Sequence, residues 1–401
     1  MVKRDLEPHL KGLSGRYPVI TLTGPRQSGK TTLCRMVFPD LPYVSLETPA
    51  QRQFALDDPV RFLAQYPEGA ILDEIQRAPE IPSYLQGIVD EDPRPGRFIL
   101  TGSQNFSLMV SVSQSLAGRS ALLDLLPLSL AELRRFPSAP QELNTVLWTG
   151  SYPRIFEQNL PPQEWLSAYG ATYVERDVRQ VLQVGDLSTF QTFLRLCAGR
   201  IGQLVNFSSL AADCGIDQTT AKRWLSVLEA SYIVFRLQPF HSNLGKRLVK
   251  SHKLYFYDSG LLCNLLGIED PTQLVTHPLR GGIFESWVVA ELMKQYLHQG
   301  RRPRFSFYRD RDRLEVDLLI ERGAELTTIE IKSSQTPPAN ALTSIENLAK
   351  ALIRAEPQWE VTERVVIYAG EETQRRSGGT LMPWSKLDRW SSRGPGTHAD
   401  T

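Results

Sequence analysis

An α/β fold that opens on a doubly wound parallel sheet is what this sequence predicts, and three features predict it. Through the first 135 residues, apolar strand-like runs alternate with helix-like segments. A glycine-rich loop, Gly24-Pro25-Arg26-Gln27-Ser28-Gly29-Lys30-Thr31, joins the strand-like "YPVITLTG" to the amphipathic "TTLCRMVF". A later apolar run, "GAILDEI", closes on two adjacent acids, Asp73 and Glu74. Continuous apolar runs of this kind are what parallel strands covered on both faces require.

The loop matches GxxxxGK[ST] in its required place between strand and helix. Its glycines let successive backbone N–H groups turn inward on phosphate oxygens, and the helix behind adds its positive end. Gly24, Gln27, Ser28, Gly29, Lys30, Thr31 and Thr32 are therefore expected to hold ATP, with Lys30 on the β- and γ-phosphates and the Thr31 hydroxyl on Mg²⁺. Strand-like runs follow at 43–47, 69–75, 96–104 and 119–129. At the end of the second of these, Asp73 is placed to orient Mg²⁺, and Glu74 to polarise the water that attacks the γ-phosphate. "ILTGSQ" ends the next, where Thr101, Ser103 or Gln104 is placed to sense the γ-phosphate.

At 401 residues the chain is too long for one ordinary core, so two or three domains are expected. With 41% hydrophobic and 22% charged residues, and no apolar stretch near the ~20 residues of a membrane span, a cytoplasmic protein is expected. Cys34, Cys197, Cys214 and Cys263 are scattered without a C-x-x-C pair, which argues against a disulfide framework or a zinc site. A formal net charge of +1 gives no global attraction to nucleic acid, so any such contact must come from local patches.

The middle of the chain turns helical. From "EWLSAYGATYVERDVRQVL", apolar residues recur at helical spacing. In "NFSSLAADCGIDQTTAKRWLSVLEASYIVFRLQPF", Ser208 or Ser209 is expected to cap one helix and Asp217 the next, with Gly215 between them. Ala221, Trp224, Leu225 and Leu228 form the apolar face of the second helix. Its other face carries Gln218, Thr219, Lys222, Arg223 and Ser226. With the following strand and the basic "HSNLGKRLVKSHKLYFY", the segment reads as a winged helix. Lys222 and Arg223 are then candidates for DNA bases, and Lys246, Arg247, Lys250 and Lys253 for phosphates.

Towards the carboxyl end an amphipathic helix carries Glu285, and "LEVDLLIERGAELTTIEIKSS" reads as strand, turn, strand. A turn on Gly323-Ala324 puts Asp317 across from Glu330 and Glu315 across from Lys332. Alternation then buries Val316, Leu318, Ile329 and Ile331 and sets Asp317, Glu330 and Lys332 on the opposite face. Carboxylates facing each other across a ladder repel, so a cation or a proton is expected between them. The last residues, beyond Trp384, are polar and aperiodic and are expected to form a flexible tail.

"GPRQSGKTTL", "ILDEIQ", "ILTGSQ" and "SLAGR" together resemble AAA-related bacterial and archaeal ATPases whose C-terminal domain is itself related to PD-(D/E)xK nucleases. That resemblance implies domains at 1–135 (P-loop ATPase), 136–270 (helical linker and winged helix) and 271–385 (nuclease-like α/β), before a tail at 386–401. It implies a homo-oligomer in which Arg119 reaches the neighbour's nucleotide, with Arg154 of "GSYPRIF" as its competitor. It also implies Mg²⁺ or Mn²⁺ on Asp317 and Glu330, completed by Glu285, with Lys332 orienting water on a phosphodiester. The Pro-Asp pair that names the nucleases is missing from "LEVDLLI". The expected activity is ATP hydrolysis coupled to DNA handling; the alternative is an ATPase that acts on a protein partner, with the C-terminal fold as an inactive docking module.

Overall fold

The computed structural model describes residues 2–103, 114–174, 187–240, 251–312, 314–355 and 358–389. Strands β1 (Val19–Thr23), β2 (Tyr43–Ser45), β3 (Ala70–Asp73), β4 (Phe98–Gly102) and β5 (Ser120–Asp124) form one parallel sheet in the order β2-β3-β4-β1-β5. Neighbouring residues on these strands feed opposite faces. Ile20, Leu22, Ile71 and Ile99 pack beside α1 (Glu7–Ser14) and α2 (Lys30–Val37), whereas Val19, Leu72, Phe98 and Leu100 pack beneath α4 (Pro59–Ala64) and α5 (Ile81–Glu91). A short α3 (Pro49–Asp57) precedes α4. Burial on both sides is why these strands read as continuous apolar runs.

At the β1–α2 turn the chain passes close under the sheet. Gly24 has φ +147°, and a Cβ there would lie 2.2 Å from the Leu125 carbonyl oxygen, so only glycine fits.

The helical region comprises α6 (Leu130–Leu133), α7 (Leu143–Thr149), α8 (Pro153–Glu157), α9 (Pro162–Tyr169), α10 (Leu187–Gly199), α11 (Phe207–Cys214), α12 (Gln218–Ala230) and α13 (Ser259–Leu265). In the helix-turn-helix of α11 and α12, Asp217 caps α12 by accepting the Thr220 N–H at 2.9 Å. The cap of α11 is Asn206, not Ser208 or Ser209: its side chain accepts the Ser209 N–H at 3.1 Å, so the helix begins earlier than expected.

Strands β6 (Val234–Pro239) and β7 (Lys253–Phe256) follow as an antiparallel pair, and the basic residues 241–250 between them, expected in the wing, lie outside the described residues. β6 pairs in parallel with β8 (Phe305–Arg309), so both join β9 (Glu315–Arg322), β10 (Glu325–Lys332), β11 (Glu360–Tyr368), β12 (Gln374–Arg376) and β13 (Gly379–Pro383). The result is a mixed eight-stranded sheet ordered β12-β13-β11-β10-β9-β8-β6-β7. Helix α14 (Arg280–His298) covers one face over Leu318, Ile320, Ile329 and Ile331, and α15 (Thr343–Ala355) covers the other over Val316, Leu319 and Leu326.

The hairpin turns on Gly323-Ala324 as expected, with Leu318 opposite Ile329. Two details differ from the sequence expectation. A bulge in the β8–β9 ladder near Tyr308 places Val316 and Leu318 on opposite faces rather than the same one. Both faces are covered, so the carboxylates do not sit on an open side.

Candidate active site

The β1–α2 loop, the end of β3 and α8 surround a cleft of ≈ 540 Å³, whose walls include Arg26, Lys30, Thr31, Asp73, Glu74 and Arg154. Gly29, with φ +93°, is the N-cap of α2, so the first turn of that helix opens on the cleft. Gln27, Gly29 and Thr32 also line it. Ser28 is buried beneath the loop and is not on the wall.

Lys30 is buried and folds back on the loop, donating to the Gly24 carbonyl at 3.0 Å and the Pro25 carbonyl at 2.7 Å. Burial pushes its pKa down, opposed by the charges of Glu74 and Asp73. Asp73 is the hub of the polar wall. One carboxylate oxygen accepts from the Thr31 hydroxyl at 3.0 Å and from Tyr43 at 2.7 Å; the other accepts from Thr101. Thr31 and Asp73 thus stand side by side as a hydroxyl and a carboxylate, a hard oxygen set that fits Mg²⁺.

Glu74 has φ +58°, uncommon for a residue with a side chain, and this turns it off the strand direction. Burial raises its pKa, with Lys30 opposing. Gln76 donates to Glu74 and, at 3.0 Å, to Ser103, so the acid and the β4 end are linked. Neither Tyr43 nor Gln76 is among the residues expected from the sequence. Gln76 closes "ILDEIQ" and was legible there, but nothing in "YVSLE" marks Tyr43. Gln104 lies outside the described residues.

The two arginine candidates part company. Arg154 stands on the cleft wall at the start of α8, its Nε 3.3 Å from Gln158 Oε1. Arg119 pairs with Asp90 at the end of α5, just before β5, where Ser120 is level with Val19. That is the opposite end of the sheet from the loop after Thr23, so Arg119 does not reach the cleft of its own chain.

A second constellation surrounds Glu285, Asp317, Glu330 and Lys332. Lys332 Nζ lies 2.6 Å from Glu330 Oε1, and Asp317 accepts the Ile331 N–H at 2.8 Å, taking the place of the next rung beyond Leu318–Ile329. Among Glu285, Glu315 and Asp317 stands the ammonium of Lys253, expected from the sequence to contact phosphate. Lys253 of β7 is 3% exposed, with Nζ 3.1 Å from Glu285, 2.6 Å from Glu315 and 3.9 Å from Asp317. Tyr255 also donates to Glu285. Burial raises the pKa of Glu285 to about 7 and of Glu330 to about 8, with repulsion from Asp317 adding to both, while Lys253 and Lys332 oppose. Among the described residues, no group of three or more His, Cys, Asp or Glu side chains is disposed to hold a metal ion. The residues as arranged fit a lysine-filled cluster better than the metal centre expected from the sequence.

On α12, Gln218, Thr219, Lys222 and Arg223 are exposed, and the Ser226 hydroxyl is spent on the Lys222 carbonyl at 3.0 Å. Lys246, Arg247 and Lys250 lie outside the described residues. Among the described residues no helix is long and apolar enough to cross a membrane.

Comparison with known proteins places three family profiles end to end along the chain: an AAA domain over residues 16–134, a domain of unknown function (DUF8612) over 140–272 and another (DUF4143) over 280–387. The uncharacterized proteins Rv2008c of Mycobacterium tuberculosis and Mb2031c of Mycobacterium bovis are each 32% identical over 374 residues, covering 92% of this chain and 80% of theirs. Among solved structures, the Walker-type ATPase of Pyrococcus abyssi matches at 15% identity over 65% of this chain and 94% of its own, with a TM-score of 0.45. AMPPCP-bound DnaA from Aquifex aeolicus matches at 13% identity over 56% and 85%, with a TM-score of 0.30.

Proposed function

This chain belongs to the family of the mycobacterial proteins Rv2008c and Mb2031c and carries an AAA domain; from that premise we propose that it is an ATPase that hydrolyses ATP in the cleft between the β1–α2 loop and α8, with Glu74 as base and Arg154 as the arginine beside the γ-phosphate. The observation that carries this reading is the convergence of Lys30, Thr31, Asp73, Glu74 and Arg154 on one cleft. The loop N–H groups and Lys30 bind the phosphates, so Lys30 exchanges the Gly24 and Pro25 carbonyls for phosphate oxygens. Thr31 and Asp73 would hold Mg²⁺, which would supply charge neutralisation to the phosphates. Glu74, kept basic by burial and aimed by Gln76, takes the proton of the attacking water. Ser103, bonded to the same Gln76, reports the γ-phosphate to β4.

Arg154 and Arg119 make separable predictions. Arg154→Ala should lower kcat by about 10²–10³-fold in any assembly, the order expected of a lost transition-state donor. Should Arg119 act across an oligomer interface, Arg119→Ala mixed with Lys30→Ala protein should recover activity through mixed sites. Absence of recovery in a mixture shown to co-assemble would leave Arg119 as the structural partner of Asp90.

For the rest of the chain, the placement of Lys253 favours a docking module over a cleaving one. A buried ammonium already meets Glu285 and, at 3.9 Å, Asp317, two of the carboxylates that a nuclease would use for metal. One observation favours DNA as the partner, the exposed Lys222 and Arg223 on α12. Phosphate release and strand scission, followed together with single-stranded, duplex and branched DNA in Mg²⁺ or Mn²⁺, separate these outputs. Stimulated release without scission is expected if DNA docks; scission abolished by Asp317→Asn would overturn the docking reading.

A further inference from the structure

Arg4 belongs to no motif, yet it is among the most heavily engaged side chains near the cleft. It precedes α1, is 7% exposed, and packs against the back of the β1–α2 loop. Its Nη1 donates to the Ser28 carbonyl at 2.6 Å and its Nη2 to the Leu126 carbonyl beyond β5 at 2.8 Å. Its Nε lies 2.9 Å from Glu132 Oε1. One planar guanidinium thus spans the loop, the exit of β5 and α6, a fork that lysine cannot reproduce.

Glu132 is itself fully buried and fully used. It accepts the Asp5 N–H at 2.7 Å and the Ser129 N–H at 2.9 Å, closing a capping box at α6. Its second oxygen is 3.5 Å from Nδ1 of His298, the last residue of α14. The neighbouring Leu297 packs on Leu126 and Tyr232, and the Tyr232 hydroxyl contacts Thr23, the residue before Gly24. Helix α14 carries Glu285 near its other end, about 20 Å away at 1.5 Å per residue.

In a trans peptide the carbonyl and the next N–H point in opposite directions. Holding the Ser28 carbonyl to the rear therefore turns the Gly29 N–H away from Arg4, and Gly29 lines the cleft. We propose that Arg4 is a positioning residue for nucleotide binding, fixing the phosphate-binding loop through the Ser28 carbonyl and anchoring it, through Glu132, to the end of α14. This rests on the ATPase reading above.

Titration of a fluorescent ATP analogue into the full chain tests it, with the Lys30→Ala chain as the reference for an emptied site. Arg4→Met should raise the Kd about tenfold or more, the consequence of freeing a buried carbonyl and loosening the loop. Arg4→Lys keeps the charge but meets one acceptor at a time, and should recover part of the affinity. In steady-state turnover, KM should rise more than kcat falls, a split that general destabilisation would not give while the chain stays folded. Because Arg4→Met leaves Glu132 buried without its partner, the shift in melting temperature produced by saturating ATP is followed in Arg4→Lys as well; a smaller shift than in wild type is expected. Wild-type Kd and KM in folded Arg4→Lys and Arg4→Met would overturn the proposal. A wild-type chain that binds no nucleotide would overturn the ATPase reading and this inference together.

Discussion

Replacing Glu74 by Gln should leave ATP binding intact and cut hydrolysis by about 10²–10⁴-fold, the contribution expected of a positioned general base. The amide keeps the shape and can still meet Gln76, but it cannot take a proton from water. Lys30→Ala should behave oppositely and lose nucleotide affinity, because its ammonium is the buried positive charge at the mouth of the loop. Equilibrium binding of a labelled nucleotide, read beside phosphate release, separates the two. Unchanged release in Glu74→Gln would remove it from the role of base and turn attention to Gln76 and Ser103, which share its hydrogen-bond chain.

Lys253→Met should destabilise the full chain by about 3–5 kcal/mol, because removing one partner of a buried ion pair leaves its carboxylates uncompensated. The neutral side chain fills the same volume, so the loss reports charge rather than packing. The second expected effect is a gain. Nucleotide-free wild type should melt alike in Mn²⁺ and in chelator, whereas Lys253→Met should melt higher in Mn²⁺, since a divalent ion can now take the place the ammonium held. Wild type that melts markedly higher in Mn²⁺, together with a Lys253→Met chain of wild-type stability, would restore the metal-centre reading. The experiment needs the intact chain. A fragment beginning near Leu274 would lack β6, β7 and Lys253 itself, which belong to the same sheet and the same cluster.

Local signals in the sequence carry local structure faithfully here. The GxxxxGK[ST] spacing locates the β1–α2 loop, and the apolar runs locate the five parallel strands, because strands covered on both faces leave no ambiguity of phase. Gly323-Ala324 likewise marks a hairpin whose register follows directly. Contacts between distant segments were not legible. Lys253 sits in a stretch of basic residues and reads as another surface cation, yet β7 pairs beside β6 at the sheet edge and drives it into the carboxylates of β9 and α14. The bulge near Tyr308, which separates Val316 from Leu318, arises from pairing with β8 and has no glycine or proline to announce it. Arg4 and Tyr43 are isolated residues in ordinary segments. Their importance comes only from what the folded chain brings to them, a loop carbonyl in one case and Asp73 in the other. Arg119 and Arg154 show the same limit from the other side: sequence favours the first, and the folded chain sets the second on the cleft.

Release of phosphate from γ-labelled ATP by the full chain in Mg²⁺ is the direct test of ATP turnover in the cleft. Wild type should show steady multiple turnover, none above background when magnesium is chelated, and Lys30→Ala protein of the same fold and purity should show none. Wild type that binds no ATP, or turnover that persists undiminished in Lys30→Ala, would contradict turnover in the cleft.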